Sequence, residues 1–264
     1  MGGQACVFYG AAEFSRDLDL LVVADPRGFA LLRAALDDLE AERIEVPSFE
    51  PEFLRRGHAV HFRCAREDVK GLRIDLMSKL RGVDDFESLW LRRSTVEADG
   101  VVVEMMALED LVLAKKTQRD KDWPMIRRLV EESYFQKICG PAFWLRELRT
   151  PELIIEAAAA HRDLAREMTR PAVAVALTGD PETVAAALTA EENSERARDR
   201  LWWQPLRAEL EQLRHAKTKH RRSPARYCRL AMDFSSACAA GYCGSPGGIS
   251  CSNVRASANF CRCT

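Results

Sequence analysis

The sequence predicts a mixed α/β (α+β) fold, in which a mixed sheet with helices packed on it is followed by a helical region and a tail. Over the first 135 residues, short apolar runs rich in β-branched residues alternate with segments of helical spacing. Residues 140–217 show helix signals throughout, and residues 218–264 become rich in Gly, Ser and Cys without periodicity. We therefore expect a domain over 1–135, a helical region over 140–217 and a tail of low order over 218–264.

Within the first domain, apolar periodicity predicts the order helix, strand, helix, three strands and two helices. The run Leu18–Ala24 is apolar and ends at Asp25 and Pro26, which is typical of a strand. The segment Pro26–Glu42 instead places apolar residues at helical spacing. The full prediction has helices over 4–12, 26–42, 107–117 and from 122, and strands over 18–24, 60–64, 72–77 and 101–105.

The helical region carries two similar start signals. Residues 150–152 read Thr-Pro-Glu and residues 180–182 read Asp-Pro-Glu, so each offers a capping side chain, a proline in the first turn and then an acid. We expect the first helix to run to about Met168. A last amphipathic helix is predicted over Leu201–Lys217.

Composition excludes several classes of protein. Hydrophobic residues make up 47% of the chain and charged residues 30%, as in ordinary globular proteins, and the net charge of -1 gives no global attraction to nucleic acid or membranes. The first residues lack the basic segment and the following apolar run of a secretory signal, and the sequence has no apolar run of about 18 residues. We therefore expect a cytoplasmic protein that is not embedded in a membrane.

The tail differs from the rest of the chain. Six of the nine cysteines lie there, and a reducing cytosol would keep them as thiols. Their irregular spacing beside His215 and His220 lacks a C-x-x-C pair, so a zinc site is not expected. We interpret the basic run 214–229 as a solvated linker in preference to an RNA-binding segment. The abrupt change in composition raises the hypothesis of a shifted reading frame or a fused fragment.

Two aspartates at the start of the first predicted strand form the main candidate site. Side chains alternate along a strand, so Asp17 and Asp19 share one face. Two carboxylates at this spacing repel each other unless a cation lies between them, and Mg²⁺ binds a few carboxylates together with substrate phosphates. Alternatively, both carboxylates are simply solvated.

Two further features place possible substrate and metal groups near that pair. The glycines of Gly2-Gly3 precede a short helix, where backbone N–H groups can approach a phosphate, although a glycine pair alone is equally a simple turn. Asp75 lies in a second apolar strand, where a carboxylate needs a metal or an ion pair. The alternative partner of Asp75 is Arg73 or a lysine. For His58 and His61 we expect ordinary surface or core roles.

The combined order of these motifs resembles the minimal nucleotidyltransferase superfamily, and in particular the branch that includes AbiEii-type toxins of bacterial toxin–antitoxin systems. The resemblance covers about residues 2–131. The segments that carry it read Gly-Gly-Gln-Ala from Gly2, Ser-x-Asp-x-Asp-Leu-Leu-Val from Ser15, and Leu-Glu-Asp-Leu-x-x-x-Lys over Leu108–Lys115.

The resemblance implies roles for the candidate residues. Asp17 and Asp19 would bind Mg²⁺, with two ions in the site, and Asp75 would be the third carboxylate, which aligns or deprotonates an acceptor hydroxyl. The residues that it places at the nucleotide are Gly2, Gly3, Ser15, Lys115 and Lys121.

The expected activity is transfer of a nucleoside monophosphate from an NTP to a hydroxyl of an RNA 3′ end, a protein side chain or a small molecule, with a cognate antitoxin or another protein as a further partner. Two departures from the resemblance favour an alternative, a weakly active or inactive module that binds protein or RNA. Glu13 stands where relatives carry a basic residue, and no helix and strand precede Gly2, which we interpret as a start assigned too late.

Overall fold

The main sheet of the computed structural model is mixed, as predicted, with strand order β1-β4-β3-β2. The structure describes residues 1–221, with side chains to 219. β1 and β4 are parallel, whereas β4–β3 and β3–β2 are antiparallel. The strands are β1 (Asp17–Leu21), β2 (Ala41–Arg43), β3 (Val60–Cys64) and β4 (Arg73–Met77).

A separate antiparallel hairpin is formed by β5 (Ser94–Ala98) and β6 (Val101–Met105). β6 was predicted, but β5 was not. The two strands are joined by Asp99 and Gly100, whose φ angles of 52° and 76° are those of a tight hairpin turn. The Asp-Gly pair was therefore the sequence signal for the missing strand.

The helices of the first half are shorter than predicted. α1 begins on the glycine pair instead of after it, and α2 ends at Asp38 because the chain turns there into β2. α3 and α4 are one and a half turns long and were not predicted. The helices are α1 (Gly2–Phe8), α2 (Pro26–Asp38), α3 (Pro51–Arg56), α4 (Phe86–Leu91), α5 (Leu108–Ala114) and α6 (Asp122–Phe135).

The helical region is confirmed, although its divisions differ from the prediction. The helix predicted to reach Met168 is broken at His161, whose ψ of 51° is not helical. Asp180 does cap its helix, accepting hydrogen bonds from the backbone of Glu182 and Thr183. The helices are α7 (Pro141–Glu147), α8 (Pro151–Ala160), α9 (Arg162–Glu167), α10 (Pro171–Ala176) and α11 (Pro181–Arg221), the last of which includes Pro205 and absorbs the predicted 201–217 helix.

One face of the main sheet is apolar. Ile74 and Leu76 of β4 and Phe62 of β3 are buried there against Phe29 of α2 and Leu54 of α3. Since neighbouring residues of a strand point to opposite faces, the residues between them define the other face of the sheet. That second face carries the candidate site.

A second core joins α1, α5 and α6 to the helical region. Cys6, Leu111, Ile126, Leu145 and Ile154 are all fully buried in it. This core is continuous across residues 135–140, where the sequence predicted a boundary. Residues Met1–Ala216 accordingly form one compact unit.

None of the helices described over residues 1–221 combines the length and the apolar character needed to cross a bilayer. Residues 222–264, and with them most of the predicted tail and its cysteines, lie outside the described residues. Residues 218–221, which were assigned to the tail, belong to α11.

Candidate active site on the polar face of the sheet

The register of the main sheet brings the candidate carboxylates onto one polar face. Asp19 of β1 is the partner of Asp75 of β4, and Asp75 is in turn the partner of His61 of β3. Two residues earlier on the same two strands, Asp17 is the partner of Arg73. Because partners in adjacent strands point to the same face, all five side chains project from the side opposite the apolar core.

Asp75 is held by two basic side chains. Arg73 donates through Nε to Oδ1 at 2.8 Å and through a terminal nitrogen to Oδ2 at 3.0 Å, and His61 Nδ1 lies 2.8 Å from Oδ1. Burial acts to raise the pKa of the Asp75 carboxyl, but the hydrogen bonds from His61 and Arg73 outweigh it and the pKa is lowered. The ion pair with Arg73, which the sequence left as the alternative to metal binding, is thus present.

Asp19 is in the opposite electrostatic situation. Burial raises the pKa of its carboxyl, and the charge of Asp75 raises it further. The Gly3 amide, which lies 3.4 Å from Asp19 Oδ2, and the Lys115 ammonium oppose this rise without cancelling it. Two adjacent carboxylates therefore have pKa values displaced in opposite directions, because the charges of Lys115 and of the N-terminal ammonium do not outweigh the burial of Asp19.

The glycine pair packs directly on this part of the site. A β-carbon at Gly2 would come within 2.5 Å of Asp19 Cγ, and one at Gly3 within 3.0 Å of the Ser15 β-carbon. Gly2 also has a φ of +72°, which favours glycine. Both positions need glycine because a β-carbon at either one would overlap a side chain of the site. The Gly3 amide is directed at the Asp19 carboxylate.

Ser15 lies in the loop that leads into β1. Its hydroxyl donates to the Asp17 carbonyl at 3.2 Å, and its own carbonyl accepts a hydrogen bond from the Gln4 side chain at 3.0 Å. These contacts fix the loop against α1 and place Ser15 beside Gly3. Glu13 is exposed in the same loop.

The two predicted lysines are placed differently. Lys115 follows α5 with a side chain only 12% exposed, lies 3.6 Å from Asp122, and exerts its charge on Asp19 and Cys6. Lys121 is exposed just before α6, and none of the contacts described for residues 1–221 joins it to the carboxylates. The structure therefore brings Lys115, but not Lys121, to the site.

The carboxylates fit a divalent cation unequally. Asp17 and Asp19 lie on one face of the same strand, and their carboxylates are the kind of oxygen ligand that Mg²⁺ prefers. Asp75 does not fit a metal ion as it stands, since Arg73 and His61 engage its oxygens. Consistent with this, no group of three or more His, Cys, Asp or Glu side chains within residues 1–221 is arranged to hold a metal.

Arg73 and His61 are the functional candidates that the sequence analysis underrated. Each alternates with buried apolar residues of its own five-residue strand, His61 between Val60 and Phe62 and Arg73 before Ile74. The pattern of alternation therefore placed them on the polar face. Only the register between β3 and β4 shows that His61 reaches the carboxylate that Arg73 contacts within its own strand.

A cavity of about 420 Å³ opens at the other end of β1 and β4. Its walls include Val22–Asp25, which follow β1, and Ser78–Leu80, which follow β4. None of the predicted site residues lines it. The polar face and this cavity are therefore separate features of the sheet.

Comparison of the chain with protein-family models, with curated proteins and with solved structures finds no match.

Proposed function

We propose that this protein transfers a nucleoside monophosphate from an NTP to a hydroxyl group and releases pyrophosphate. The observation that carries the proposal is the contact between the glycine pair and the carboxylate strand. Gly2 and Gly3 leave no room for a β-carbon against Asp19 and Ser15, so a backbone turn, a hydroxyl and a carboxylate meet at one point. We take this point as the place where a triphosphate and its cation bind.

In this proposal, Asp17 and Asp19 hold Mg²⁺ together with the oxygens of the triphosphate. When bound, the ion would supply the positive charge that makes the α-phosphorus open to attack. Among the described side chains, Lys115 is the cation whose charge lowers the pKa of Asp19. It provides a fixed positive charge for the phosphates. Gly2, Gly3 and Ser15 shape the turn that receives them.

The proposal includes a nucleotidyltransferase fold for the sheet with α1, in keeping with the resemblance of its motifs. Asp75 then stands one strand away from the metal-binding pair, on the side from which an acceptor hydroxyl approaches. A second Mg²⁺ ion at Asp75 requires Arg73 to release the carboxylate. Lys121, exposed before α6, would meet phosphates only through a longer substrate such as RNA.

The acceptor and the biological setting follow from the same resemblance. An RNA 3′ end, a protein side chain or a small molecule each supplies a hydroxyl, and a cytoplasmic toxin–antitoxin setting adds a protein partner. The helices α7–α11 offer a surface beside the sheet for either partner.

One observation favours a second candidate function, an inactive module that binds protein or RNA. Arg73 forms an ion pair with Asp75 and His61 contacts the same carboxylate, so the third carboxylate of the pattern is engaged within the protein itself. A module that only binds a partner would keep such a face without needing Asp17 and Asp19 for its activity. The two candidates therefore differ in their dependence on those aspartates.

The test is label transfer from each of four α-³²P-labelled NTPs, with Mg²⁺, to total RNA or to cleared cell lysate. Wild type should label an acceptor, and nuclease or protease digestion would then identify its class. Asp17→Asn/Asp19→Asn should label at most about 1% as fast, because charge stabilisation of this kind contributes a factor of about 10²–10³.

The matched control is Asp163→Asn/Glu167→Gln, which removes two exposed carboxylates from α9. It should label at the wild-type rate. Equal labelling by wild type and by the Asp17/Asp19 variant, or no labelling by either, would overturn the enzymatic proposal and leave the binding module.

A further inference from the structure

We infer that His61 is the general base for the acceptor hydroxyl and that Asp75 acts by orienting the His61 ring. This inference rests on the proposed nucleotidyl transfer, and it reverses the role that the sequence pattern gives to Asp75. It arises from the row of side chains Asp19, Asp75 and His61, which crosses three neighbouring strands on the polar face.

The contacts of Asp75 leave little capacity for a further proton. Its two oxygens accept from Arg73 at 2.8 and 3.0 Å, and Oδ1 is also 2.8 Å from His61 Nδ1. A carboxylate stabilised in this way is a weak base. It is well placed, however, to fix the orientation of its neighbour.

The inference places the proton of the neutral histidine ring on Nδ1. If Nδ1 carried a lone pair, it would face a carboxylate oxygen at 2.8 Å, which is repulsive. In the proposed reaction Nδ1 carries the hydrogen and donates it to Asp75, and the Arg73 nitrogen that lies 3.1 Å from Nδ1 donates to Asp75 Oδ2 instead. The lone pair of the neutral ring is then on Nε2.

The Nε2 atom is free to meet a substrate. The His61 side chain is 32% exposed, and within residues 1–221 Nε2 has no hydrogen-bond partner. His58 provides the contrast, because it is fully buried and its Nε2 lies 2.7 Å from Glu209. Of these two histidines, only His61 combines a carboxylate on one nitrogen with an accessible second nitrogen.

The distances suit an in-line transfer. Adjacent strands are about 4.8 Å apart, so His61 stands about 10 Å from Asp19 along the row. With the phosphate at Asp17 and Asp19, the acceptor hydroxyl would lie over Asp75, between the phosphorus and Nε2. The base, the acceptor and the phosphate can therefore lie in sequence on one face.

The proposed step is balanced. The acceptor oxygen forms a bond to the α-phosphorus while its proton passes to His61 Nε2. The bond between the α-phosphorus and the oxygen bridging to the β-phosphate breaks, and pyrophosphate leaves with the electron pair. The imidazolium then gives its proton to solvent, and Asp75 stabilises that cation while it exists.

The test compares His61→Ala and His61→Asn with wild type in the label-transfer assay with total RNA and lysate. Loss of a general base lowers the rate by about 10²–10⁴-fold. His61→Asn keeps an N–H donor for Asp75 but has no base at the position of Nε2, so it should be as slow as His61→Ala. His161→Ala, which alters a half-buried histidine at the end of α8, should retain wild-type rate.

Imidazole added to His61→Ala should restore a substantial part of the transfer rate, and it should leave His161→Ala unchanged. Wild-type rate in His61→Ala, near-wild-type rate in His61→Asn, or no rescue by imidazole in a variant that retains wild-type circular dichroism would each overturn the role of His61. Those outcomes leave the proposed function standing if wild type transfers label. No transfer by wild type would overturn both proposals together.

Discussion

The side chain of Asp19 occupies the space that a β-carbon of Gly2 would need. The two residues belong to different elements, α1 and β1, and their contact fixes the position of the start of α1 against β1. A turn with a φ of +72° and a half-buried carboxylate thus depend on each other at the centre of the candidate site. This relationship allows the site to be tested without knowledge of the substrate.

Replacing Gly2 by alanine should destabilise the protein more than the same change at Gly71. Both glycines have positive φ angles, so each substitution incurs about 1–2 kcal/mol of backbone strain. A β-carbon at Gly71 meets nothing within 4 Å, whereas one at Gly2 overlaps Asp19. Urea unfolding at pH 7 should show the difference, and Gly2→Ala/Asp19→Ala should recover part of it. Equal losses at Gly2 and Gly71 would contradict the contact.

Much of the sheet followed from local patterns, because alternation and β-branched runs are properties of each strand alone. β3 and β6 have the predicted bounds, and β1 and β4 differ from prediction only at their ends. Alternation also placed Asp17 and Asp19 on one face. The two-faced character of the sheet was therefore present in the sequence.

The pairing of side chains between strands was not predictable in the same way. That His61 reaches Asp75 depends on the register of β3 against β4, which the turn between them sets, whereas Arg73 lies two residues before Asp75 on the same strand. The length of α11 was missed for a different reason. The sequence predicts two helices, one that starts after Asp180 and one over Leu201–Lys217, and the structure joins them into one helix that includes Pro205.

Neutralising Asp19 and neutralising Asp75 should change stability in opposite directions at pH 7. The raised pKa of Asp19 means that its ionised form is disfavoured in the folded protein, so Asp19→Asn should increase the free energy of unfolding. The lowered pKa of Asp75 means the reverse, and Asp75→Asn should reduce that free energy by about 1–3 kcal/mol, because it leaves Arg73 and His61 poorly paired.

The pH dependence provides the check on this pair. A carboxyl with a lowered folded pKa stabilises the protein above its unfolded pKa of about 3.9, and this stabilisation is lost as the pH falls through the folded value. The contribution of Asp19 has the opposite sign, since its ionisation cost disappears as the pH falls through its raised pKa. Unfolding of the two Asn variants between pH 3 and 7 should therefore diverge from wild type in opposite senses. A loss of stability in both variants at pH 7 would contradict the assignment.

Mg²⁺ should stabilise wild type through Asp17 and Asp19, and Asp75 should matter little. A ligand at about 100 times its dissociation constant adds about 2.7 kcal/mol to the free energy of unfolding. Thermal unfolding with and without saturating Mg²⁺ should show this gain in wild type and in Asp75→Asn. The gain should be absent from Asp17→Asn/Asp19→Asn. If Asp75→Asn also lost it, the third carboxylate would be a metal ligand after release by Arg73.

The buried ion pair between Lys116, just after α5, and Glu147, at the end of α7, should be the most sensitive polar contact away from the site. Lys116 Nζ lies 2.7 and 2.9 Å from the two oxygens of Glu147, and the side chains are only 10% and 2% exposed. Burial lowers the pKa of the Lys116 ammonium, while the charge of Glu147 opposes this change. Lys116→Met should cost about 3–5 kcal/mol, because it leaves the buried Glu147 carboxylate with only the more distant Arg146 and Arg149, at 3.6 and 3.9 Å. Lys70→Met, which removes an exposed lysine paired with Glu67, should cost about 0–1 kcal/mol.

The double variant Lys116→Met/Glu147→Leu separates loss of the pair from loss of packing. If the cost of Lys116→Met arises from the stranded charge of Glu147, removing that charge should recover most of the lost stability. Arg149, whose Nε has no partner and whose terminal nitrogen lies 3.9 Å from Glu147, limits the recovery, since it would lose a nearby carboxylate. Urea unfolding of the two single variants and the double variant gives the coupling energy directly. Additive losses would show that Lys116 and Glu147 stabilise the core independently, and the ion pair would then have no special role in joining α5 to the helical region.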